Sequence, residues 1–175
     1  MGFKTDEEYL VYKQSVSDFL WKEVDPLVPQ MEETSHIPSD VLFPKFREKG
    51  LFGLIIPEEY GGLGLNTVQY LPILAELSKV SGAVRALIHV HLTSARAIMI
   101  YGEEDQKKEM LPKMATGESS LAFCMTEANS GSVLTAKQQL SSMVITTFSM
   151  EKNISSQMQI LRNYLWSHVL RDRKN

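Results

Sequence analysis

The most constraining stretch of this sequence lies between Ser81 and Gly102. From Ala83 to Tyr101 it is apolar nearly all round, which predicts a buried helix. Ser81 or Gly82 starts it and Gly102 stops it. The flanking sequence is helical too. From Asp6 to about Glu33, Tyr9, Val16, Phe19, Leu20, Val24, Leu27 and Met31 recur at helical spacing. Pro26 and Pro29 should kink or end that helix. Ser39-Asp40 resembles an N-cap, with Gly50 stopping a short helix that runs through Phe46. Asn66 or Thr67 can cap a helix carrying Leu71, Leu74 and Leu77. Glu103-Glu104-Asp105 puts acid at the start of the next helix, where the dipole favours it, and Gly117 ends that helix. Residues 6–117 therefore read as one α-helical, bundle-like domain.

Between these helices, residues 53–64 hold five glycines and prolines in twelve positions, which makes a shaped loop and not a regular element. After Gly117 the texture changes. Ser119 to Thr126 is an apolar run too short for a helix and reads as a strand, followed by a turn at Asn129-Ser130-Gly131-Ser132. The fold class is thus mainly α, followed by the first strand of an incomplete β-domain. At 175 residues the chain makes one domain, or one domain and a fragment. A net charge of −3 excludes a generally basic nucleic-acid binder. No run approaches 18 consecutive apolar residues, so no membrane span is expected. The start, Met1 to Glu8, lacks the apolar run of a secretory signal. The single cysteine, Cys124, excludes an internal disulfide framework and a thiolate metal cluster. The expected location is cytoplasmic.

Few residues suggest chemistry on their own. His89 and His91 are two apart, so on a helix they face different ways and make a poor zinc pair, for which spacing of three or four is needed. No metal site is expected. Cys124 has no neighbouring His or Lys to activate it and reads as a small buried residue. Gly61-Gly62-Leu63-Gly64 lacks the lysine of a phosphate loop and reads as a structural turn. Arg171 to Lys174 is a charge run of the solvated kind. Thr126 to Ser132 is more informative, because a hydroxyl followed by small residues with free amides can approach a flat ring or a phosphate.

The run Phe123-Cys124-Met125-Thr126-Glu127-Ala128-Asn129-Ser130-Gly131-Ser132 resembles the flavin-binding signature of acyl-CoA dehydrogenases, A-x-x-x-T-E-P-x-A-G-S-D. Ala128 stands where that signature has proline, and Ser130 where it has alanine. The Ile56 to Leu65 loop is similar to that family's, as is Tyr101 to Lys108 followed by Leu111-Pro112. The motifs occur in the family's order and cover residues 5–132. The resemblance implies an N-terminal helical domain at 1–117 and the start of a middle β-domain at 118–132. It also implies FAD as cofactor and fatty acyl-CoA as substrate, desaturated to the trans-2-enoyl-CoA. An electron-transferring flavoprotein would accept the electrons, and the assembly would be a homotetramer. Phe123, Cys124, Met125, Thr126, Glu127, Gly131 and Ser132 would line the flavin, with the Thr126 hydroxyl donated to the ring and Ser132 also touching the CoA part. The helix holding Ala86, His89, Val90 and Thr93 would line the acyl chain through that face, although packing within the bundle accounts for those residues equally well.

The resemblance stops at Val133, where the family has aspartate. Residues 133–175 are expected to be a non-family tail, helical or disordered. Neither the family's catalytic glutamate nor its C-terminal bundle is found, so the chain reads as truncated and inactive alone. The genetic code suggests a shifted reading frame. One frame over, Met143-Val144 and Met150-Glu151 each force glycine, and Met158-Gln159 forces alanine. The degenerate junctions between them permit Tyr-Ile-Leu-Asn-Gly and then Ile-Thr-Asn-Ala, the family's continuation. On this reading the strand near 120–126 loses its sheet partners and leaves an open edge. Two other readings compete: a non-enzymatic helical interaction module, and an enzyme completed by a second chain.

Overall fold

A computed structural model of the chain describes Phe3, residues 5–123 and residues 145–149. It divides into two units, Met1–Gly117 and Glu118–Asn175.

The first unit is entirely helix and loop, as the apolar spacing predicts. Helix α1 (Asp6–Phe19) is capped by Thr5, whose hydroxyl accepts from the Glu8 amide at 3.2 Å. The predicted kink is present, and its form follows from Pro26. At Leu20–Val24 the helix widens to a π turn, in which the Asp25 amide reaches back to the Leu20 carbonyl. Pro26 has no amide to continue the ladder, and the chain tightens into a 3₁₀ turn at Asp25–Leu27. It resumes as α2 (Val28–Thr34), which has Pro29 in its first turn. Helix α3 (Ser39–Glu48) begins at Ser39 itself after Pro38, and Gly50 ends it in the left-handed conformation at φ 69°. Helix α4 (Thr67–Val80) has the Asn66 cap that the sequence predicts, reinforced by the Gln69 side chain in a reciprocal capping box. Helices α5 (Gly82–Tyr101) and α6 (Glu104–Ala115) complete the unit.

Two burial expectations are corrected. Leu71 is 54% exposed, and Ile73, Leu77 and Val80 are the α4 residues that enter the core. Leu71 lies two residues from Ile73, roughly 200° around the helix. Nor is α5 buried on every side. Val84, Ile88, His91, Leu92, Ala95 and Ile98 pack inward, while Val90, Ile100 and Tyr101 are exposed. Apolarity all round specifies no direction, so the neighbouring helices decide which face is covered. By length and hydropathy α5 would also suffice to cross a bilayer, which a count of consecutive apolar residues does not reveal. Its inward face packs as that of a core helix and carries the buried His91 and Ser94.

The core centres on aromatic rings. Phe43, Phe46 and Phe52 meet at centroid distances of 5.4 to 6.3 Å, and Phe19 meets Phe46 edge-on at 6.1 Å. Such pairs add to the area buried. Phe52 belongs to the glycine-rich loop, which consists of two 3₁₀ turns, Leu51–Gly53 and Glu58–Tyr60. Backbone bonds lace it together: Leu63 to the Gly53 carbonyl at 2.8 Å, Gly64 to Ile56 at 2.9 Å and Leu65 to Leu54 at 2.8 Å. Gly62 is required there, because a Cβ would lie 2.0 Å from the Ile56 carbonyl oxygen.

In the second unit, β1 (Ser119–Phe123) pairs antiparallel with β2 (Ile145–Ser149), Ser119 opposite Ser149 and Phe123 opposite Ile145. The predicted strand is present at 119–123, and residues 124–126 lie outside the described residues. The expected loss of sheet partners is corrected along one edge, since the backbone of 145–149 satisfies it. That segment is a strand, where helix or irregular chain was expected.

Candidate substrate-lining face on α5

Helical geometry brings Ala86, His89, Val90 and Thr93 onto one face of α5, three or four residues apart. The structure turns this face away from the core. Ala86 and His89 are half-buried, and Val90 and Thr93 are exposed. The Thr93 hydroxyl donates to the His89 carbonyl at 2.8 Å, one turn back in the same helix. It keeps its lone pairs for an acceptor role.

Sequence reasoning missed the partner of His89. Tyr70 on α4 places its phenol oxygen 2.8 Å from His89 Nδ1, with the two rings inclined by only 13°. Burial raises the pKa of the Tyr70 phenol, with the Arg85 charge acting against it. The phenol is therefore protonated at neutral pH and donates to Nδ1 of the neutral imidazole, which leaves the ring proton on Nε2. Arg85, one turn before His89 on the same helix, is the second missed residue. No local pattern pointed to either. Tyr70 comes from another helix, and a single arginine reads as a solvated charge.

His91 faces the opposite way, as its spacing from His89 predicts. It is fully buried, with Nε2 at 3.2 Å from both the Phe52 and the Met114 carbonyl oxygens. Both partners are acceptors, so Nε2 carries the proton and donates. Burial pushes its pKa down to about 4, against the smaller opposing effect of the two carbonyls. His91 is thus a neutral structural tie between α5, the glycine-rich loop and α6, which is the ordinary packing role.

Two of the sequence motifs meet in space. The Tyr60 phenol of the loop bonds to Glu104 at the start of α6, and Lys107 Nζ lies 3.0 Å from the same carboxylate. The Lys107 bond is the main cause of the lowered Glu104 pKa. Gly117 closes this corner at φ 70°, where a Cβ would lie 2.3 Å from the Phe52 ring. Both motifs serve the fold here. Of the flavin-type run only Phe123 is described, as the backbone end of β1. Cys124, Met125, Thr126, Glu127, Gly131 and Ser132 lie outside the described residues, as does the burial expected of Cys124.

Comparison with known proteins gives a consistent result. Residues 6–118 match the N-terminal domain family of acyl-CoA dehydrogenases. An acyl-CoA dehydrogenase of Bacillus subtilis (strain 168) is 36% identical over 127 residues, covering 72% of this chain and 33% of that protein. A short-chain-specific acyl-CoA dehydrogenase of Clostridium acetobutylicum is 34% identical over 140 residues, covering 79% and 36%. The crystal structure of an acyl-CoA dehydrogenase complexed with FAD from Bacillus anthracis superposes with a TM-score of 0.63 at 30% identity, over 81% of this chain and 23% of that one. The chain spans about a third of the length of these curated relatives.

Proposed function

The chain belongs to the acyl-CoA dehydrogenase family through its N-terminal domain, and we propose that it supplies one wall of a site where a fatty acyl-CoA is desaturated with FAD. The observation that carries this reading is the uncovered α5 face of Ala86, His89, Val90 and Thr93. FAD as cofactor is supported by the relative solved in complex with it. When bound, FAD takes the β-hydride as the α-proton leaves to a base, and an electron-transferring flavoprotein then removes the electrons. The described residues reach the flavin-type run only at Phe123, so they make no flavin site by themselves, and no step is derived through it. The chain's own contribution is to hold the acyl group. Ala86 and Val90 give it apolar contact and displace water, and Tyr70 fixes the His89 ring beside them.

The 175-residue chain alone is expected to retain little FAD and to catalyse no dehydrogenation, since no residue in it matches the family's catalytic glutamate. Adding fatty acyl-CoA to the purified chain with FAD tests both parts. Nuclear magnetic resonance signals from the α5 face should move while the flavin stays oxidised. Unmoved α5 signals would refute the lining role, and bleaching of the flavin would refute the inactivity. On the same reading residues 133–175 are out of frame. Coding DNA whose next frame lacks an aspartate codon near Val133 would overturn that. The exposed Val90, Ile100 and Tyr101 also favour the interaction-module reading, which requires a partner protein that protects this face from protease.

A further inference from the structure

The α5 face is not uniformly suited to hydrocarbon. At its edge toward α4 lies a polar group of three: Tyr70, Arg85 and His89. Arg85 is half-buried, and its guanidinium has no carboxylate partner among the described residues. Partial burial of a cation without a counter-charge costs free energy that a site for a plain alkyl chain would not recover. The imidazole beside it is oriented by Tyr70. Because the phenol donates to Nδ1, His89 offers an Nε2–H donor, and no described group accepts from it. Residues 85 and 89 are one turn apart, which places side chains roughly 5 to 6 Å from each other at Cβ. Two donors at that separation can converge on one anionic group, and a guanidinium matches the two oxygens of a carboxylate. Ala86, Val90 and Thr93 run alongside and offer a methylene chain somewhere to lie.

We propose that Arg85 and the Tyr70-oriented His89 recognise a carboxylate at the far end of the acyl chain, so that the thioesters received by this face are those of dicarboxylic acids. This rests on the reading of α5 as an acyl-lining face. Arg85 supplies the charge, His89 a directed donor, and Tyr70 is the positioning residue.

The test is a titration of the 175-residue chain with two CoA thioesters. One carries a short unbranched dicarboxylic acid and the other the monocarboxylic acid of equal length. The readout is the His89 imidazole and the Arg85 side-chain resonances. The dicarboxylic thioester should move these signals at about tenfold lower concentration, the advantage of one charge-assisted bidentate contact. In Arg85→Gln the two thioesters should become equivalent, and Arg85→Lys should restore part of the preference. Equal responses in the unsubstituted chain overturn this inference alone, without reliance on any variant. If neither thioester moves the α5 signals, the lining reading falls and this inference falls with it.

Discussion

Acid should weaken this domain well before its carboxylates titrate, and His91 is the reason. The unfolded chain presents an ordinary imidazole with a pKa near 6.5, whereas burial between α5, the loop and α6 pushes it to about 4. Protonation would place a charge in the core beside Phe52. Between those two values the unfolded state binds the proton and the folded state does not. Stability therefore falls as pH drops below 6.5, with a limiting slope of about 1.4 kcal/mol per pH unit. Across the whole gap the loss is about 3 kcal/mol, a large part of a small domain's stability. The ion-paired carboxylates Glu23, Glu76 and Glu104 all have lowered pKa values, so their contributions are lost only further down, below the ordinary carboxylate value. Urea unfolding followed by circular dichroism at steps from pH 7.5 to 4.5 isolates the effect. The parent chain should lose most of that energy over the interval. His91→Gln keeps an amide donor for one of the two carbonyls and should be less stable at pH 7.5 but nearly flat with pH. Equal slopes for parent and variant would refute the assignment.

The glycine-rich loop offers a paired contrast. Gly62→Ala forces a Cβ against the Ile56 carbonyl and should abolish cooperative unfolding, whereas Gly61→Ala at φ 83° with open space around it should cost only about 1 to 2 kcal/mol in a thermal melt. In the core, Phe46→Ala should cost about 3 to 5 kcal/mol, because the fully buried ring meets Phe19, Phe43 and Phe52. Leu71→Ala should stay within about 0.5 kcal/mol by the same assay, as expected for an exposed position. Similar losses at Phe46 and Leu71 would mean that the core has been misplaced.

What the sequence showed and what it hid divide by physical range. Helix ends were legible at Asn66, Ser81 and Gly102, because a cap is decided by a side chain and an amide within about three residues. The break at Pro26 was legible for the same reason. Its form was not, because the π turn depends on how Leu20 and Val24 must enter the core. Leu71 and Leu74 shared a periodic pattern with Leu77, but which of two adjacent apolar rows faces inward depends on α1 and α5 on either side of α4. At the candidate site, 3.6-residue spacing was enough to align Ala86, His89, Val90 and Thr93. It could not supply Tyr70, nineteen residues away on the neighbouring helix, which bonds to His89 only after α4 and α5 fold back on each other. Pairing across helices also separates the two histidines. His89 and His91 look alike in sequence, yet one meets a phenol at the surface and the other meets two carbonyls in the core. The same imidazole can thus orient a ligand at one position and hold the fold together two residues later. Substitution should separate these roles: changes at position 89 alter binding with little effect on stability, and changes at position 91 do the reverse.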